Sequence, residues 1–203
     1  MRSLIPFVAV VSLAAPLAAA PVLGPMATLK QKNGEFDKLL RGKPPAGTPA
    51  EQKQKNDIKA LAATMLDYAE LSRRSMADKW TTLTAAQREQ FVANFRDLLE
   101  HKYVKQIRSN LDYAMQYKGE EVAGDEATVS TIVKVKTKGK STDAEIVYKV
   151  HKVGAAWLVW DIITDDISMV SNYKSQFIKI LDEKGYDELI KKIKANIEKL
   201  EGA

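Results

Sequence analysis

Between Gly119 and Ala127 the hydrophobic pattern changes period, from that of a helix to that of a strand, and this limits the architecture more than any other feature. Before the change, Phe91, Phe95, Leu98, Leu99, Tyr103 and Ile107 make one apolar stripe of about six turns. Thr84-Ala85-Ala86-Gln87 has the capping-box form that starts such a helix. After the change, Val129, Thr131, Val133 and Val135 alternate with Thr128, Ser130, Lys134 and Lys136. A turn at Lys138-Gly139-Lys140 leads into Ser141 to His151, where Ala144, Ile146, Tyr148 and Val150 alternate with charged residues. Val153-Gly154-Ala155 turns the chain into Ala156 to Ile163, which is apolar on both faces. Three strands joined by tight turns form an antiparallel meander, and Tyr113 to Val122 is positioned to add a fourth. Two closing helices, Ser168 to Lys184 and Tyr186 to Leu200, are separated by Gly185. The fold class is therefore α+β, with a curved antiparallel sheet of about four strands packed against several helices. Between such layers lies an apolar wedge, which side chains either fill or leave open as a cavity; alternation leaves both open.

The N-terminal half adds helices. Met26 to Arg41 is amphipathic through Leu29, Phe36, Leu39 and Leu40, and a Pro/Gly loop at 42–49 ends it. Ile58, Leu61, Met65 and Leu66 place a second helix over Ala50 to Tyr68, and Asp67 to Lys79 reads as a short third. Residues 1–20 differ from all that follows: Arg2, an apolar middle and Ala18-Ala19-Ala20 have the order of a secretory signal peptide. Pro6 and Pro16 argue against a spanning helix there, while Pro21 leaves the cleavage position open. Residues 21–203 read as one domain, since no repeat or interior linker divides them.

Composition removes several kinds of chemistry. The 203 residues contain no cysteine, which excludes disulfides, thiolate nucleophiles and cysteine-held metals. The two histidines, His101 and His151, are not spaced as a ligand pair, and each reads as a solvated or surface residue. Ser168 lacks a Gly-x-Ser-x-Gly elbow and reads as a helix cap. The expectation is no catalytic residues, no metal and no cofactor. The net charge of +5 is spread among acids, with no recognition module, so nucleic acid is not an expected partner. The Lys191-Lys192-Ile193-Lys194 cluster is interleaved with Glu188 and Glu198, as on a solvated face, although it would also suit an anionic surface.

Trp157-Leu158-Val159-Trp160-Asp161-Ile162-Ile163, with Ile167-Ser168-Met169-Val170 and Asn172-Tyr173-Lys174-Ser175-Gln176-Phe177, resembles the signature of the MlaC family, the toluene-tolerance type of periplasmic phospholipid-binding proteins. Trp80, Leu83-Thr84, Gln87-Arg88, Phe91, Phe95, Leu98-Leu99, Tyr103 and Gly185 with Leu189-Ile190 extend the resemblance over Asp57 to Leu200. It implies a monomeric carrier in the periplasm that takes no cofactor and shields phospholipid acyl chains in a cavity between sheet and helices. It also implies exchange with an outer-membrane lipoprotein–porin complex and an inner-membrane ABC transporter complex with MCE domains, maintaining outer-membrane lipid asymmetry. The chain departs from the family at Asp165-Asp166, where Glu-Gly is usual, and at Lys174, where Arg is usual. Loss of the glycine removes easy access to positive φ, and Lys cannot make a bidentate contact. Asp161 keeps the family position and suits a structural role with a basic group or backbone donors.

Each acyl methylene in water costs on the order of 0.8 kcal/mol, so two chains represent well over about 10 kcal/mol that only a dry interior can offset. Strand alternation and helical phase nominate Val133, Val135, Ile146, Val150, Leu158, Ile162, Leu98, Leu99 and Ile107 as lining residues. Tyr103 and Tyr148 suit the rim, where a ring faces carbon and its hydroxyl reaches water. Two other readings fit the same fold: an exported domain whose pocket binds or processes a small soluble ligand, and an interaction module with a filled core.

Overall fold

A computed structural model of the chain describes residues 23–109, 113–137 and 140–202. The expected signal peptide at 1–20 and the Lys138-Gly139 part of the expected turn lie outside these residues. Helices α1 (Pro25–Arg41) and α2 (Pro49–Met65) flank the Pro/Gly loop. Thr48 caps α2 by accepting from the Glu51 N–H at 3.2 Å, and the Glu51 carboxylate accepts from Gly47 N–H at 2.8 Å. Helix α3 (Tyr68–Met76) runs through a 3-10 turn, Ala77–Thr82, toward α4 (Ala85–Ser109). The capping box forms as its sequence predicts. Gln87 N–H donates to Thr84 Oγ1 at 3.2 Å, and Thr84 N–H donates to Gln87 Oε1 at 3.0 Å.

The sheet is antiparallel throughout, in the order β1 (Tyr113–Ala123), β2 (Glu126–Thr137), β3 (Lys140–Val153), β4 (Ala156–Thr164) and β5 (Ile167–Ser168). The optional fourth strand is thus β1, at one edge, and β5 adds a two-residue fifth. Asp165 and Asp166 turn β4 into β5 with φ of 47° and 66°. The missing glycine therefore leaves the left-handed turn in place. Aspartate tolerates this conformation better than most residues, at some cost relative to glycine.

Helix α5 (Met169–Glu201) is interrupted at Gly185, whose φ of 78° divides it where two helices are expected. Its start is fixed by two groups from the Trp-Leu-Val-Trp-Asp segment and the turn. Ser168 Oγ accepts from Ser171 N–H at 3.0 Å and donates to Asp161 Oδ2 at 2.6 Å, while Val170 N–H donates to Asp161 Oδ1 at 3.0 Å. The carboxylate is buried at the helix N-terminus, where backbone dipoles favour negative charge. Asp161 is thus structural and uses a backbone donor and a hydroxyl. Helices α4 and α5 meet through Phe91, Phe95, Tyr173 and Phe177, with Phe95 and Phe177 edge to face at 4.9 Å. With α3 they form a bundle beside β4, whereas α1 reaches β1, β2 and β4 across the sheet.

Candidate functional site

Strand register fixes one apolar face of the sheet. Ala127 stands opposite Val150, Val129 opposite Tyr148, Thr131 opposite Ile146 and Val133 opposite Ala144. On β4, Val159 stands opposite Val150 and Ile162 opposite Tyr148, with Trp160 unpaired between them in a bulge. Met26, Leu29 and Phe36 of α1 pack on this face, together with Met65 and Leu66 from the end of α2. Thr131, fully buried, satisfies its hydroxyl on the Ile146 carbonyl at 2.8 Å. The wedge between α1 and the sheet is thus occupied by α1 side chains.

The expected lining residues divide among three places. Ile146, Tyr148 and Val150 belong to the sheet-face cluster, and Val133 is buried further along the same register. Leu98 and Leu99 are buried in the α3–α4–α5 bundle core, with Tyr103 packed beside them. Ile107 packs on a third cluster, formed by Leu40, Ile58 and Val104. Ile162 and Leu66 touch both the bundle and the sheet cluster, and Phe36 joins the sheet cluster to the third. Val135 is paired in register with Thr142, and its side chain lies outside the described residues. Leu158 is a correction: it stands opposite His151, out of phase with buried Trp157 and Val159, on the other face. Because β4 is apolar on both faces, alternation carries no phase there.

Tyr148 corrects the expected rim. It lies in the middle of the buried face, and burial pushes its hydroxyl well above the ordinary tyrosine range, with Asn33 opposing weakly. Tyr103 is half-buried, and burial raises its hydroxyl as well, against a smaller effect of Tyr173. The observed polar border instead follows α1 and β1. Asn33 Nδ2 donates to Tyr117 Oη at 2.6 Å and to Met115 Sδ at 3.1 Å. Lys30 Nζ lies 5.0 Å from the Tyr117 ring centroid, and Tyr113 donates to Asp37.

Other anchors carry little local sequence signal. His151 is half-buried and pairs with Asp67 Oδ2 at 3.0 Å, which corrects its expected surface position. Asp67 Oδ1 caps α3 by accepting from Glu70 N–H at 2.9 Å. The 84-residue separation of this pair leaves no local pattern to detect it by. Arg74 stacks at 3.6 Å over the ring of Trp160 and pairs with Glu70 and Glu126. His101 accompanies Asp97, Glu201 and Lys59 along the edge of α4. Among the described residues no cluster has the composition of a metal site. A groove of about 610 Å3 lies away from the sheet, between α3, the 3-10 turn and α4. Its arginines are already engaged, Arg96 with Glu100 at 2.7 Å and Arg88 with the Trp80 carbonyl at 3.0 Å.

Comparison with known proteins places this geometry. The phospholipid-binding protein from Ralstonia solanacearum, solved in complex with a phospholipid, superposes with a TM-score of 0.70 at 21% identity, over 86% of this chain and 97% of that one. The intermembrane phospholipid transport system binding protein MlaC of Haemophilus influenzae is 25% identical over 141 residues, or 68% of this chain. The match spans 64% of that relative's length, under two thirds of it. The profile described as MlaC protein matches residues 32–195. That match takes in the α4 stripe, the meander and the anchor of α5, and the chain belongs to the MlaC family.

Proposed function

We propose that this protein is a periplasmic phospholipid carrier that travels as a soluble monomer and assigns no residue to catalysis. It takes lipid from one membrane complex and delivers it to the other: an outer-membrane lipoprotein–porin complex and an inner-membrane ABC transporter complex with MCE domains. The cargo class rests on family membership and on the phospholipid named for the Ralstonia protein. The observation that carries the mechanism is the division of the apolar interior into separately packed clusters that meet at Phe36, Leu66 and Ile162.

The sheet-face cluster parts from its neighbours with few shared side chains disturbed, and within it an acyl chain restores the apolar contacts that Met26, Leu29 and Phe36 of α1 give up. Acyl chains entering there replace α1 side chains over the sheet face and contact Val133, Ile146, Tyr148, Val150 and Ile162. Tyr103 of α4 packs on the bundle cluster and Ile107 on the third, while Leu98 and Leu99 stay buried within the bundle core. Thr131 brings no unsatisfied polar group into this space, since its hydroxyl is bonded to a backbone carbonyl. The test is incubation with phosphatidylethanolamine–phosphatidylglycerol vesicles, separation by flotation, and lipid extraction from the protein fraction. Phospholipid recovered with the protein supports the reading; a lipid-free protein fraction overturns it.

A further inference from the structure

We infer that lipid enters and leaves through the seam between α1 and the edge strand β1, with α1 acting as a latched strap over the apolar face; this rests on the carrier reading above. Two stripes of α1 face different surroundings. Met26, Leu29 and Phe36 pack on the sheet, whereas Lys30, Asn33 and Asp37 meet Tyr117, Met115 and Tyr113 of β1. The second set is a polar zipper, in helical spacing on one side and alternate-residue spacing on the other.

This combination suits a gate. Hydrogen bonds of the zipper exchange for water when it opens, so each contributes little net resistance. The apolar stripe beneath would be exposed by opening, but an arriving acyl chain covers the same surface. The α4–α5 boundary is different, because parting it would expose Phe91, Phe95, Tyr173 and Phe177, packed ring on ring. The position of the seam also fits, since β1 is a sheet edge and opens sideways to solvent or a bilayer. The strap has a tether at each end. Met26 N–H donates to Glu120 Oε2 at 2.8 Å, and the Pro/Gly loop at 42–49 leads into α2. Burial raises the hydroxyls of both Tyr113 and Tyr117, so neither ionises near neutral pH.

The chain has no cysteine, so Asp37→Cys with Tyr113→Cys introduces the only two thiols. A short cleavable bis-maleimide would join them across the seam. The probe is transfer of a fluorescent phospholipid from phosphatidylethanolamine–phosphatidylglycerol vesicles. Cross-linking should slow uptake at least about tenfold, and cleavage should restore it. A link between Lys79→Cys and Asp182→Cys, whose parent side chains pair at 2.7 Å between the 3-10 turn and α5, should leave uptake within about twofold. Independently, Asn33→Ala with Tyr117→Phe should accelerate exchange about fivefold, the ratio for roughly one net hydrogen bond. Uptake by the seam-linked protein at the unlinked rate, or an unchanged rate in the zipper variant, overturns the gate and leaves the carrier reading standing. No uptake by the unmodified protein overturns both.

Discussion

Replacing Asp161 by alanine tests how the most recognisable segment of the sequence holds the fold together. The carboxylate is 4% exposed and accepts from Ser168 Oγ at 2.6 Å and Val170 N–H at 3.0 Å. Hydrogen bonds to a charged group contribute about 1.5–3 kcal/mol each, and losing both also orphans the Val170 N–H. Recovered desolvation of the buried carboxylate offsets part of this, which leaves a loss of about 3 kcal/mol. Asp161→Asn keeps an acceptor for Val170 and should cost only about 1 kcal/mol. Ser168→Ala removes the cap as well as one bond to the carboxylate, at about 2–3 kcal/mol. The double variant should fall short of the sum by about 1 kcal/mol, because the two residues share a bond. Urea denaturation monitored by tryptophan fluorescence gives all four values, and the alanine variant should also melt about 6–12 °C lower. An alanine variant within about 0.5 kcal/mol of the parent would refute this account of the α5 anchor.

Three further outcomes are expected. Asp166→Gly relieves a positive φ of 66° and should stabilise the protein by about 0.5–1 kcal/mol in the same denaturation experiment, despite the entropy of glycine. Acid stability should depend on two carboxylates. The Gly47 N–H and then Arg108 hold Glu51 at about 2, while Arg73 and then Arg74 hold Glu70 at about 2, against an ordinary 4.5 for each. Both folded values are depressed, so their contribution is complete above pH 4.5 and disappears as pH falls through about 2. Glu51→Gln should flatten the acid limb of a stability–pH curve, and an unchanged limb would contradict this. Val133→Asp or Ile146→Asp should abolish phospholipid retention, with a native-like circular dichroism spectrum; a folded variant with full lipid occupancy would remove these positions from the acyl site.

Local signals were legible where they carry their own chemistry. Thr84 with Gln87, Ser168 before α5 and Gly185 within it each occupy the position their residue types require. Alternation suffices for β2 and β3, because one face of each is mostly polar or charged. The face of Leu158 is not readable from alternation, since β4 has no polar face to set its phase. Residue type alone points Tyr148 to the rim, whereas strand register places it in the middle of the sheet. The closure of the wedge by α1 was not legible, because the apolar stripe of a short helix states that it is buried and not against what. The same limit applies to His151 with Asp67 and to the polar seam between α1 and β1, where contacts depend on tertiary placement.

Native mass spectrometry of the protein purified gently from its own cells asks whether a phospholipid travels inside the fold. A carrier should show a population heavier than the bare polypeptide by the mass of a phospholipid, released on activation as an intact lipid ion. A bare polypeptide throughout, or an adduct with the mass of a small polar solute, would contradict it.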